Sequence, residues 1–131
     1  MILGLSTLPS FSDSNNNGAI ATLDQERLFG SSLFGQRVFK EVSDESDILL
    51  AQELLLQSQL ETEESLLTAE RKKIDTEKFK KLASAFDKKV QKIRAETTEN
   101  RIKLGEYSES EQNRFFKIIL PILVQLSDEF G

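Results

Sequence analysis

"LLTAERKKIDTEKFKKLASAFDKK", residues 66–89, decides the fold, because the chain either passes through it as one long helix or turns back inside it. Upstream, from Ser31 and Ser32 to Lys73, nothing stops a helix. There is no proline, the one glycine is Gly35, and either serine offers an N-cap hydroxyl. Val38, Val42, Leu49, Leu56 and Leu66 recur at spacings of 4, 7, 7 and 10, with Glu45, Gln52, Gln59 and Glu63 between them. That is a half-wet seam, which must borrow stability from a partner. One continuous helix would carry it forward to Glu70, Lys73, Glu77 and Lys80, all charged. Instead a second stripe runs through Phe79, Leu82, Phe86, Val90, Ile93, Thr97, Asn100, Leu104 and Tyr107 at spacings of 3 and 4. It starts one residue out of register with the first, an angular jump of roughly 100° on a helix. Two stripes out of phase belong to two rods, and Asp75 and Thr76 suit a helix start. The sequence therefore predicts a long antiparallel helical hairpin: a first helix over 31–73, a tip at 74–76 and a second helix over 77–130. Its seam contains Leu66, Phe79, Leu82, Phe86, Val90 and Ile93.

The flanking segments differ in character. Residues 1–18, ending in "SFSDSNNNG", read as a disordered lead or the remnant of a signal peptide. "AIATLD" (19–24) is a short apolar run with β-branched residues, consistent with one strand, and "QERLFG" then makes a helical turn closed by Gly30. At the other end "RFFKIILPILVQLSDEF" (114–130) is apolar on nearly every face and requires burial in a body. Within the second helix Gly105 is a weak point followed by the capping pattern "SESE", and Pro121 is expected to kink the rod.

Composition narrows the function. With 22 acidic and 17 basic residues the net charge is −5, which disfavours nucleic acid as a partner. The distribution is uneven. Arg71 to Arg94 holds ten Lys/Arg against Asp75, Glu77 and Asp87, a local +7, while the rest has seven against nineteen, or −12. There is no cysteine and no histidine, so thiol nucleophiles, Cys/His metal sites and histidine bases are excluded by inventory. Carboxylates scattered on helix exteriors lack the buried pairing that a glycosidase needs. No enzymatic activity and no cofactor are expected. No run of about 18 apolar residues exists to cross a membrane as a helix.

A strand followed by "LDQERLF", then "LFGQRV", a polar-seamed helix, a tip, "FKKLASAFDKKVQKIRAE" and "RFFKIILPIL" together resemble the Skp/OmpH family of periplasmic chaperones, in its alphaproteobacterial form, over Ile20 to Phe130. The resemblance implies a mainly α fold in which a helical hairpin, a coiled-coil tentacle, hangs from a small β body. The body would contain the N-terminal strand and further strands beyond the second helix, and three chains would form a homotrimer. It implies an ATP-independent holdase in the periplasm that shields unfolded outer-membrane β-barrel proteins in a cavity between tentacles. On that pattern Ile20, Leu23, Leu28, Phe29, Leu33 and Phe34 pack the body with Phe115, Phe116, Ile119 and Leu123. Lys72, Lys73, Lys80 and Lys81 sit at the tip on that pattern, where the local +7 is either a solvated lysine-rich face or a contact for anionic lipid or lipopolysaccharide. The alternative from the residues alone is a structural or adaptor coiled coil without chaperone activity, docking through the apolar tail.

Overall fold

The computed structural model describes residues 16–130, with side chains from 24 to 129. Within them the chain is helical: α1 (Asn16–Ser31), α2 (Leu33–Glu70) and α3 (Thr76–Phe130). There is no strand among the described residues. The segment expected to form one, 20–24, lies inside α1. Ala19, Ala21, Leu23, Gln25, Glu26, Arg27 and Leu28 are mostly good helix formers, and a lone strand with no ladder partner leaves its amides unpaired. Helix therefore prevails. The side chains of Ile20 and Leu23, like all of residues 1–15, lie outside the described residues.

A single serine separates α1 from α2. Ser32 holds extended backbone (φ −76°, ψ 154°), and its Oγ accepts from the Gly35 amide at 2.9 Å while donating to the Phe29 carbonyl at 2.6 Å. The Ser32 amide donates to the same carbonyl at 3.1 Å. One side chain thus closes the last turn of α1 and caps the first turn of α2, satisfying orphan groups on both sides of the break. Gly35 is required for this approach. A Cβ there would lie 1.8 Å from the Phe29 carbonyl oxygen and 2.7 Å from its carbon.

α2 leaves helical geometry after Glu70 and α3 begins at Thr76, with no glycine, proline or positive φ between them. Backbone bonds hold the turn: Arg71 to the Leu67 carbonyl, Lys73 and Ile74 to that of Glu70, and Phe79 to that of Asp75. The Arg71 guanidinium then lies 5.7 Å from the centre of the Phe79 ring, bridging the turn. The chain reverses there. Partners on α2 and α3 run in opposite directions, with Arg37 on Glu111, Glu41 on Tyr107, Glu53 on Arg101 and Glu63 on Lys89. At 1.5 Å per residue α2 is about 57 Å long and α3 about 82 Å, so α3 overshoots the start of α2.

The tight core sits where α1, the start of α2 and the overshooting α3 meet. Phe29 (3% exposed), Val38 (0%) and Phe115 (5%) are buried there, with Leu28, Phe34, Val42, Phe116 and Ile119 packed against them. Phe29 meets Phe34, Phe39, Phe115 and Phe116 at centroid distances of 5.3 to 6.3 Å, mostly edge to face. Elsewhere the two long helices form a thin layer with a half-buried seam.

α3 is uninterrupted through both positions expected to disturb it. Pro121 lies on an exposed stretch, where water can take the Lys117 carbonyl that loses its amide partner. Gly105 is helical, and a Cβ there would meet nothing within 4 Å. Gly105→Ala should consequently stabilise the chain by about 1 kcal/mol, the difference in helix propensity, raising the urea midpoint without changing the slope.

Candidate functional site

The seam is built from heptads on both rods. From Leu49 onward the half-buried positions of α2 are Leu49, Glu53, Leu56, Leu60, Glu63, Leu67 and Glu70, followed by Ile74 in the turn. Along α3 as far as Leu104 they are Phe79, Ala83, Phe86, Val90, Ile93, Thr97 and Leu104. Phe79, Phe86, Val90 and Ile93 lie in this half-buried row. Leu66 (63% exposed) and Leu82 (49%) do not, and their neighbours Leu67 and Ala83 stand in their places. Leu60, Leu67 and Ile74 fall seven apart, as do Ala83, Val90, Thr97 and Leu104, so the heptad holds the seam to those series. A large side chain one step off the series remains outside it.

Charged residues complete the seam. Arg101 grips Glu53 with two donors, Nε to Oε1 at 2.7 Å and Nη2 to Oε2, and Lys89 reaches Glu63 across the pair. Nearer the aromatic core, Arg37 bonds Glu41 at 2.9 Å and Glu111 at 3.1 Å, Tyr107 donates to Glu41, and the guanidinium lies 4.9 Å above the Phe34 ring. These bonds hold carboxylates ionised. The Tyr107 hydroxyl and then Arg37 hold Glu41 below the ordinary carboxylate value of 4.5, and Arg101 does the same to Glu53. A group lowered in the folded chain contributes stability that is present above its unfolded value and is lost as pH falls through its folded value. The melting temperature should be flat from about pH 8 to 5 and decline below about 4.5. A Glu53→Gln chain should show a shallower decline over the same range, read by circular dichroism.

The expected body-packing set divides. Phe29 and Phe115 are buried, Leu28, Phe34, Phe116 and Ile119 pack on them, Leu33 is 85% exposed and Leu123 is 41% exposed. From Ile118 to Leu126, α3 presents Ile118, Leu120, Ile122, Leu123, Val124 and Leu126 to solvent. The α2 exterior adds Ile48, Leu50, Leu54, Leu55 and Leu66 between carboxylates and glutamines. Lys72, Lys73, Lys80 and Lys81 are all exposed around the turn, and Lys73 and Lys80 make only loose contacts with Glu70 (3.9 Å) and Glu77 (3.4 Å).

No group of three or more candidate metal ligands and no helix long and apolar enough to cross a membrane occurs among the described residues. Glu41, Glu53 and Glu99 are all lowered, the opposite of what a general acid needs at neutral pH. Sequence reading missed the Arg37–Glu41–Tyr107–Glu111 cluster. Its only local signal is the i, i+4 pair of Arg37 and Glu41, and the rest comes from the register of α3 on α2. Comparison of the chain with protein-family models, curated proteins and solved structures gives no match.

Proposed function

We propose that the chain is an ATP-independent holdase of the kind that the Skp/OmpH resemblance implies, acting in the periplasm as a homotrimer on unfolded outer-membrane β-barrel proteins. In this reading α2, the turn and α3 up to Leu104 are a coiled-coil hairpin arm, and the aromatic cluster roots the arm in a body. The carrying observation is the uneven packing of the molecule. Its tight core is confined to one end, while some 50 Å of α2 exposes leucines interleaved with carboxylates and amides, and the antiparallel α3 adds Leu82 and Ile102 among lysines. A mixed surface of this kind makes many weak contacts rather than one lock, and wrapping a client over a large area supplies the affinity. The apolar Ile118–Leu126 face is then buried by the body and neighbouring protomers. It equally suits the adaptor reading, in which it docks one folded partner.

One dilution experiment separates the two. A urea-unfolded outer-membrane β-barrel diluted into buffer with the chain, without nucleotide, should remain soluble and co-migrate with it, while the same barrel prefolded in detergent should not bind. Aggregation as rapid with the chain as without it would sink the holdase reading, and binding confined to folded proteins would favour the adaptor.

The tip carries a further expectation. Exposed lysines near an anionic surface contribute about 1 kcal/mol each. Lys72, Lys73, Lys80 and Lys81 replaced together by Gln should abolish sedimentation with anionic vesicles. The native chain should also release them at about 0.5 M salt, where the Debye length is roughly 4 Å. Unchanged vesicle binding under either treatment would reject tip electrostatics.

A further inference from the structure

Two grooves flank the seam, one on each side, and their charges are handled differently. On one side Leu49, Gln52 and Ile93 line a groove whose two carboxylates are both neutralised, Glu53 by Arg101 and Glu96 by Lys92. The other groove is larger, about 870 Å³, with a floor of half-buried Leu56, Leu60, Phe86, Val90 and Ile93. Glu61, Glu64 and Asp87 stand on its rim, and among the described residues none has a cation within ion-pair distance. Arg94 is the one cation among the residues that line this groove, against Glu61, Glu64 and Asp87, so the rim is acidic even though Lys88, Lys89 and Lys92 lie nearby on α3 outside the lining. An apolar floor bounded by unneutralised carboxylates calls for an occupant with an apolar stripe and cations beside it.

The walls also restrict the occupant's backbone. Both are α-helices whose amides and carbonyls are consumed internally, so the groove offers no main-chain partners to an extended segment. An occupant that buries itself there must satisfy its own backbone, as a helix does. The floor spans residues 56–60 and 86–93, and the groove from Glu53 to Glu64 is about 16 Å long, three helical turns. We propose that this groove is a docking site for a short basic amphipathic helix of a partner protein, its apolar stripe on Leu56, Leu60, Phe86 and Val90 and its Lys/Arg against Glu61, Glu64 and Asp87. The site does not depend on the holdase reading. It selects partners already able to form a helix and discriminates against extended β-strand segments.

The probe is a fluorescent 14-residue Leu/Lys peptide with leucines at helical spacing, titrated into the full chain and followed by anisotropy and circular dichroism. A scrambled peptide of the same composition is the control. The amphipathic peptide should bind and gain helicity, and the scrambled one should bind about tenfold more weakly. Glu61→Lys, Glu64→Lys and Asp87→Lys together should weaken the amphipathic peptide by about tenfold or more. Glu45→Lys, Asp47→Lys and Glu106→Lys, the same charge change away from the groove, should leave it within about twofold. Independently of any substitution, a photo-crosslinker on the leucine face should attach to residues 53–64 and 86–98. Equal binding of the two peptides, equal loss in both triple variants, or crosslinks outside those segments would overturn the proposal. So would a fall in light-scattering mass on substituting the groove alone, which would identify a second copy of this chain as the occupant.

Discussion

Gly35→Ala should destabilise the chain by about 3 kcal/mol, the upper part of the range for overpacking a closed site, and should detach α1 from the rest. Helix propensity acts the other way. Alanine is about 1 kcal/mol better than glycine inside a helix, and Gly35 lies in the first turn of α2, so a site with room would gain from the exchange. There is no room. The new Cβ would stand 1.8 Å from the Phe29 carbonyl oxygen and 2.7 Å from its carbon, both backbone atoms, which cannot rotate away as a side chain can. The same carbonyl accepts from the Ser32 amide and hydroxyl, so moving it also breaks the cap that separates α1 from α2. Phe29 would leave the buried cluster with it. The measurement is urea unfolding of Gly35→Ala beside Gly105→Ala, the same substitution made where a Cβ meets nothing, and the two midpoints should move in opposite directions. A Gly35→Ala chain as stable as the native one would mean that α1 does not close on α2 in this way.

Phe29→Ala should cost about 3 to 5 kcal/mol, the range for a core phenylalanine truncation. Its ring is 3% exposed and makes edge contacts with Phe34, Phe39 and Phe115 and a tilted one with Phe116, so its loss removes the piece common to α1, α2 and α3. The cavity can close only if α1 moves inward, which Ser32 and Gly35 resist. Phe86→Ala should cost less, because Phe86 is half-buried in a two-helix layer that can settle around the gap. Thermal melts of the two variants test the difference. An equal loss from both would contradict a core confined to the α1 end.

The fold was legible where spacing alone carries it. The phase jump between the stripe ending at Leu66 and the one beginning at Phe79 marks a change of rod, and the chain leaves α2 at Glu70 and enters α3 at Thr76. The exact seam was less legible, because Leu66 and Leu67, like Leu82 and Ala83, are adjacent candidates and size favours the wrong one of the second pair. Extending the heptad from Ile74 back through Leu67 and Leu60 resolves it. "AIATLD" was misread because a short apolar run carries no period that separates strand from helix, and the helix formers after it decide. From the residues alone the aromatic cluster is two Phe-containing segments some eighty residues apart, and only the family resemblance put Phe29 and Phe34 together with Phe115 and Phe116. What joins them is the overshoot of α3, a matter of helix lengths. The unneutralised rim of Glu61, Glu64 and Asp87 has no sequence signature, since it depends on which lysines α3 brings to which side.

The seam, the aromatic core and the grooves all require the chain to turn back between Glu70 and Thr76, and the absence of cysteine allows that to be measured cleanly. Spin labels on Gln57→Cys and Gln91→Cys, both exposed and on facing sides of one groove, report the separation by pulsed electron resonance after dilution with unlabelled chain to isolate the intramolecular distance. Packed helices lie 8 to 10 Å apart, so with the label arms a narrow distribution at roughly 10 to 25 Å is predicted. A distribution near about 51 Å, the length of one unbroken helix between the two positions, would contradict the account.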